Sequence, residues 1–518
     1  MKNNRIYKAL SMLFFGASLA GVMGCSDFLL EEDPSNLTPE SYYTIPDHAE
    51  AALAAVYADL RFIGGDGGIF SSNWQLLEAP TGTSTTETAQ NSDLNNLYGL
   101  IYDGRTQHII NYWNGLYRVI AQANLVIDRV PAITPMNEAQ KKRVLGEARF
   151  LRAWAYFGLV RLWGDVPLIT SPQTASSENF KPAPASKEAI YALVEEDLKI
   201  AESAGLPWMD VSGRVSLAAT KSLMSQVYLT MAGFPLSKGA SHYQLAASKA
   251  EEVINYSKGN PSMLNLFPEY ANLRDEKLGN RVEHIFQVQY NVVVAGNPMN
   301  NMFPNFKPVT FQGPSGTGST VPTIQFYKSY EPGDLRAVNQ VGYFYTSYFT
   351  NGSGAPFDLG APYIFKHFNQ TALGKAGTPG TRANNLNLPI IRFAEVLLIY
   401  AEAQNELAGP NALAHESLKR IRDRANLTTL AIGQFTKDSF RDAVLRERWH
   451  ELCYEQITWF DMLRLRKVYN EATNGFDNFV GHVNLSSKEP LQTKHLLMPY
   501  PLPEMQNNPN LVPQNPGY

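Results

Sequence analysis

The sequence predicts a mainly α protein: a tetratricopeptide-like stacked helix-hairpin scaffold carrying one large, irregular, loop-rich lobe. Three observations lead there. Long segments with apolar residues at three- and four-residue spacing recur along the chain. Short breaks such as Gly409-Pro410, and Phe234-Pro235 to Gly239, separate neighbouring segments as a turn separates the arms of a hairpin, although no clean repeat period is visible. Two stretches, about 64–105 and 291–389, lose the periodicity and are rich in Gly, Thr, Ser, Asn and Pro with aromatics embedded.

The chain begins with a basic segment, Lys2, Arg5 and Lys8, followed by an uncharged run from Ala9 to Gly24. That run is too short and too weakly flanked for a lasting span and reads as a secretory signal, residues 1–24. Gly24 stands directly before Cys25 at the end of the run, the pattern of a bacterial lipoprotein processing site, so acylation is expected at the Cys25 thiol. The mature protein is then anchored to a bilayer by lipid and does not span it. Residues 25–36 form a polar tether, with Glu31, Glu32 and Asp33 in it, and 37–518 read as one folding unit. Thr38-Pro39-Glu40 is a helix start, as is Asp47 with Glu50 before a run to Leu60. Helices are predicted over Gln107–Arg129, Glu138–Trp163, Ser186–Ala204, Leu217–Ala232, Tyr243–Tyr256, Arg392–Leu407, Ala412–Ala425 and Phe440–Arg466.

Composition excludes several classes. With Cys25 committed to lipid, Cys453 is the remaining one of two cysteines, and a small buried hydrophobe is its expected role. Removal of the signal lowers 44 basic residues to 41 against 48 acidic ones, with no basic tract, which argues against nucleic acid as a partner. The tract Gly313-Pro314-Ser315-Gly316-Thr317-Gly318 has Ser319 where a phosphate loop needs Lys, and Thr317 where a nucleophile elbow needs Gly. His450-Glu451 has Tyr454 where a zincin needs His, and no other histidines have metal-like spacing. No catalytic residue, metal or cofactor is therefore expected. The acids Glu395, Glu402, Glu447 and Glu451 sit among arginines and read as ion-paired scaffold rather than as a carboxylate pair facing across a cleft.

Several segments together resemble the SusD/RagB family of outer-membrane nutrient-uptake lipoproteins. The mature start, Cys25 to Pro34 with Thr38-Pro39-Glu40, is similar to that family's tether and first helix. Glu147 to Thr170 (EARFLRAWAYFGLVRLWGDVPLIT), Arg214 to Leu229, Leu388 to Gly409 and Arg446 to Arg464 (RERWHELCYEQITWFDMLR) resemble its scaffold helices, and Met498 to Tyr518 its closing segment. The matches run in order through the mature chain. The resemblance implies a tetratricopeptide-like scaffold, a lipid-anchored location on the outer membrane facing the exterior, and capture of a nutrient, usually an oligosaccharide. It also implies a SusC-like TonB-dependent transporter as partner, with this chain closing over it. It carries no ligand residues, because the shared segments are scaffold.

A sugar site needs aromatic platforms beside hydrogen-bonding side chains. The first irregular stretch offers Trp74, Tyr98 and Tyr102 with Asp93, Asn95 and Arg105, and the second Phe303, Phe306 and Tyr345. Trp74, in a Gly/Ser/Asn-rich loop, is the foremost expectation, whereas Trp113, Trp154, Trp163, Trp449 and Trp459 lie in periodic helices and are assigned to the core. Two alternatives stay open: capture of peptides or another nutrient by the same lid, and a surface glycoside hydrolase.

Overall fold

The computed structural model describes residues 42–65, 72–87, 91–299, 318–349, 356–369 and 384–518. Cys25, the tether, the helix start at Thr38, and Phe303 and Phe306 lie outside the described residues.

The long helices are α1 (Pro46–Asp59), α2 (Gln107–Arg129), α3 (Glu138–Trp163), α4 (Lys187–Glu202), α5 (Leu217–Ala232), α6 (Ala240–Gly259), α7 (Phe393–Ala408), α8 (Ala412–Arg424) and α9 (Lys437–Leu452). Two shorter ones close the chain, α10 (Thr458–Leu465) and α11 (Leu502–Asn507). Their starts are written in the sequence. Asn137, Ser186, Ser216, Asn411 and Thr436 each accept a backbone N–H of the first turn through the side chain, and Pro46 sets the entry of α1.

Each helix packs on the next, α2 on α3, α3 on α4, α4 on α5, α5 on α6, α6 on α7 and α7 on α8 and α9. This is the expected stack of helix hairpins. In α2 the buried face is Ile109, Tyr112, Trp113, Leu116, Val119, Ile120 and Ala123, a three-and-four spacing that leaves Asn111, Asn114 and Arg118 on the other side. By contrast α5 and α7 are buried on nearly every side, as the middle layers of a stack must be. Two approaches depend on a missing side chain: a Cβ at Gly146 would lie 2.3 Å from that of Ala204, and one at Gly115 would lie 2.3 Å from the Phe62 ring.

Strands are few and short. Strand β1 (His284–Val288) pairs antiparallel with β4 (Leu388–Arg392), and β2 (Phe344–Phe349) with β3 (Pro356–Ile364). The two irregular stretches are joined to each other. Ser84–Thr85 pairs with Val321–Pro322, the Gln75 amide donates to Thr320 (3.0 Å), and the Tyr363 hydroxyl donates to Glu87 (2.6 Å). Val321, Tyr345, Leu359, Tyr363, Phe365 and Phe368 form a small apolar core there.

One predicted helix is two. Phe440–Arg466 breaks at Cys453–Ile457, where Tyr454 and Gln456 take left-handed backbone angles. The break is where the irregular stretches grip the scaffold. Lys366 donates to the carbonyls of Glu451 (2.7 Å) and Cys453 (2.9 Å), the His367 ring bonds the carbonyl of Tyr454 (2.7 Å), and Glu78 accepts from the Gln456 N–H (2.5 Å). Backbone groups freed from the helix are thereby satisfied across the fold, which local periodicity does not report.

Candidate functional site

Among the described residues the expected sugar platforms are not at the surface. Trp74 is 1% exposed, with its ring edge-on to His367 at 5.7 Å. The Tyr98 hydroxyl donates to Thr320 (3.1 Å), Tyr102 stacks on Tyr518, and Tyr345 belongs to the small core; all three are buried. A platform for a sugar ring must present an open face, so the reading of Trp74, Tyr98, Tyr102 and Tyr345 as stacking surfaces is corrected: as placed, they are core. The polar residues named with them do reach solvent. Asp93 and Asn95 are half-buried on the short helix Ser92–Tyr98, and Arg105 is exposed, 3.6 Å from Asp103. Trp113, Trp154, Trp163, Trp449 and Trp459 are all buried, as their helical spacing requires.

The carboxylates near arginines are ion-paired. Glu447 meets Arg336 (2.5 Å) and Arg422 (3.2 Å), and Glu451 meets Arg336 (3.2 Å), Arg392 (3.1 Å) and Arg424 (2.6 Å) while accepting the Tyr343 hydroxyl (2.9 Å). Glu402 pairs with Arg464. Burial alone would raise the Glu451 carboxyl, yet Arg424, Arg392 and Arg336 hold it down at about 2. Glu395 differs: burial pushes it up to about 7, with the Gln226 amide donating to it at 2.6 Å. Glu395 lines a small pocket of about 70 Å³ with Glu455 and Asp461, but both of those acids are ion-paired, Glu455 with Arg392 and Asp461 with Arg448 and Arg464, and 70 Å³ leaves no room for a sugar ring between carboxylates. Cys453 is buried and free, and burial raises its thiol to about 11. Among the described residues no group of His, Cys, Asp and Glu side chains is arranged to hold a metal ion.

An open cleft of about 730 Å³ lies elsewhere, between the polar face of α2, the 165–183 loop and α11. Its floor is Trp113, edge-on to Trp163 at 5.1 Å and tilted against Tyr117 at 4.9 Å. Tyr117 is half-buried, and its hydroxyl donates to the carbonyl of Pro167 (2.8 Å), which fixes the ring at the cleft wall. The loop stem is held on α3 by the Tyr156 hydroxyl, which accepts the Ile169 N–H (2.7 Å), and by Arg152 donating to the carbonyl of Thr170 (3.2 Å). On the far side the Asn508 amide donates to the Pro182 carbonyl (2.8 Å) and the Asn510 amide to Lys181 (2.7 Å), a clasp between loop and C-terminus. Phe180 stands on this loop with half its surface open (50%), and Asn111, Asn114, Asn507 and Arg118 offer hydrogen-bonding groups around it. An open ring, a fixed ring and a rim of amides form the pairing that apolar sugar faces and hydroxyls require.

Sequence reasoning passed over this cleft, although two signals mark it. Asn111, Asn114 and Arg118 follow a helical spacing opposite the apolar stripe of α2, and Phe180 is an aromatic within a Ser/Pro/Asn-rich loop. The loop-aromatic criterion that failed for Trp74 holds for Phe180.

Fold and cleft together define a class: a helical-repeat binding protein with a concave aromatic-and-amide surface. Comparison with known proteins makes this specific. Residues 336–518 match the family profile described as "SusD family", and residues 32–229 match one described as "Starch-binding associating with outer membrane". The crystal structure of a SusD superfamily protein from Parabacteroides distasonis is similar at TM-score 0.83 and 33% identity, over 93% of this chain and 100% of that one. SusD-like protein P2 of Formosa agariphila is 28% identical over 96% of this chain and 98% of its own length. A laminarin-binding SusD-like protein shares the fold at TM-score 0.69 and 24% identity, over 92% of this chain and 100% of that one. The chain belongs to the SusD/RagB family. That family's profile description places its members with the outer membrane, and among the described residues no helix is long and apolar enough to cross a bilayer.

Proposed function

We propose that this protein captures an oligosaccharide at the outer membrane and passes it to a SusC-like TonB-dependent transporter, without chemistry of its own. The observation that carries the reading is the cleft in which Phe180 and Tyr117 present ring surface above the buried Trp113, within an amide rim. Support comes also from the profile described as starch-binding, whose span of residues 32–229 contains the α2 face and the whole 165–183 loop. A protein of like fold is laminarin-binding. Acylation at Cys25 supplies the membrane attachment and leaves the mature chain outside the bilayer. Asp93, Asn95 and Arg105 remain available to a ligand at the face of the irregular stretches.

Calorimetric titration of the purified protein against neutral oligosaccharides and peptides tests this, repeated with Phe180→Ala. Removal of one stacking ring is expected to weaken binding of the preferred oligosaccharide about tenfold, the order of one aromatic contact. Equal binding by the variant would move the site away from this cleft. Binding of peptides alone would sink the saccharide reading. Co-purification of a TonB-dependent barrel with the membrane-anchored chain tests the partner, and its loss on Cys25→Ser would tie the pairing to the anchor.

A further inference from the structure

A second cleft, of about 650 Å³, lies on the other side of the same clasp, between the end of α3, the end of α10 and residues 510–516. Its charge is one-sided. Arg161, Lys187, Arg464, Arg466 and Lys494 line it, against the single carboxylate of Asp165. Asp165 is occupied, accepting the backbone N–H of Lys187 at 2.8 Å, and Arg464 is neutralised by Glu402 and Asp461. For the other four cations no carboxylate among the described residues lies within ion-pair distance.

Two of these are held with unusual care. Arg466 caps α10 in a left-handed backbone conformation (φ 54°), which a non-glycine residue adopts only when its surroundings impose it. Its guanidinium lies 5.2 Å from the ring centroid of Phe234, which is 46% exposed, and its Nη1 is buried without a hydrogen-bond acceptor. Phe234 is tied to the same place by its own N–H, which donates to the Arg464 carbonyl at 2.9 Å. The guanidinium of Arg161 lies 3.6 Å from the centroid of Phe157 and 3.5 Å from that of Phe460, with Nε donating to the carbonyl of Phe157 (2.9 Å). Burial pushes Arg161 down to about 10 despite the opposing pull of Tyr191, Tyr112, Glu395 and Asp461 behind it, whereas burial lowers Arg466 with no acid to offset it. An uncompensated, half-buried cation is costly to a fold. Stacked guanidinium groups with fixed planes are suited to the paired oxygens of a carboxylate or sulfate.

We propose that this cleft binds an oxyanion, a carboxylate or sulfate ester carried by an acidic saccharide, with Arg466, Lys187 and Lys494 as the contacting cations and Arg161 reinforcing the field from the inner wall. The inference rests on the saccharide reading above and narrows it to anionic sugars. A saccharide fits better than an acidic peptide because the other walls are ring faces, Phe234 and Tyr500, and the prolines 235, 513 and 516, and the strand that reaches the cleft at Pro184 is two residues long, too short a ladder for a peptide backbone to extend.

The test is calorimetric titration of the full-length protein with a neutral gluco-oligosaccharide, an oligogalacturonate and a sulfated galacto-oligosaccharide of equal length, and with oligoglutamate. The wild type is expected to bind at least one of the two charged sugars about tenfold more tightly than the neutral one, with a preference that falls as salt rises. Which charged sugar wins separates carboxylate from sulfate. Lys187→Gln combined with Arg466→Gln is expected to abolish the preference and leave the affinity for the neutral sugar unchanged. Lys494→Gln, a single change at a half-buried side chain 5.5 Å from the Tyr518 ring, should reduce it even where the double variant folds poorly. A preference that survives these substitutions, or neutral sugar bound with no preference for charge, overturns the inference while the capture function stands. No saccharide bound at all overturns both, and oligoglutamate bound in place of the sugars overturns the saccharide assignment.

Discussion

Glu451→Gln removes one negative charge from a site that three guanidinium groups share. The side chain is fully buried, with Arg424 at 2.6 Å, Arg392 at 3.1 Å, Arg336 at 3.2 Å and the Tyr343 hydroxyl at 2.9 Å. A carboxyl held at about 2 against an ordinary 4.5 contributes about 3 kcal/mol to folding at neutral pH. Breaking a buried ion network by removing one partner costs about 3–5 kcal/mol, since the arginines left behind lose their counter-charge. Both routes give a loss of about 3 kcal/mol or more for the variant at pH 7. The sign with pH follows from the lowered value. The stabilisation is complete above the unfolded carboxyl value near 4.5 and is lost as pH falls from there toward 2, so wild type and variant should converge over that interval. Urea unfolding followed by tryptophan fluorescence, at a series of pH values from 7 to 2.5, reads both effects. A loss below about 1 kcal/mol at pH 7, or a difference that does not shrink in acid, would refute the account of Glu451 as the hub of the buried charges.

Glu395 titrates in the opposite sense. Burial raises it to about 7, so its contribution is favourable while the group is protonated and is lost as pH rises from about 4.5 through 7. Glu395→Gln should therefore flatten the stability profile over that interval and match or exceed wild-type stability at pH 8, measured by thermal unfolding. Trp74→Ala should cost about 3–5 kcal/mol as a cavity in the core, and any variant protein that stays folded should bind oligosaccharide as wild type does. Cys453, buried with its thiol near 11, should resist maleimide labelling in the native protein and react only on denaturation, as mass spectrometry of its peptide would show.

The helices were legible where a capping residue or Pro marked the start, as at Asn137, Ser216 and Pro46, or where an apolar stripe ran unbroken, as in α2. The bounds of α2, α3 and α5 coincide with those expected from spacing alone. The break at Cys453–Ile457 was illegible for the converse reason. Nothing within WHELCYEQITW forbids a helix, and the partners that pull its backbone aside, Glu78, Lys366 and His367, come from distant stretches. Trp74 illustrates the same limit. Its local sequence is polar, but the irregular stretches fold onto one another and enclose it, and the tertiary contacts decide burial. Among the described residues no second layer encloses Phe180, whose loop is clasped from the side by Asn508 and Asn510. The pairing of Glu447 and Glu451 with arginine was foreseen from nearby arginines, yet the principal partners, Arg336, Arg392 and Arg424, lie outside the helix that carries both acids.

The charged interior has a consequence for how an exported chain fails. Glu283 just before β1, Arg336, Lys366, Arg392 on β4, Arg424 on α8, the acids of α9 and Glu455 just after it are desolvated only when all of these segments meet. A partly assembled intermediate would hold those groups in water, where they are well solvated and repel apolar association. The surface it offers at the seam between helical stack and irregular stretches is therefore hydrophilic.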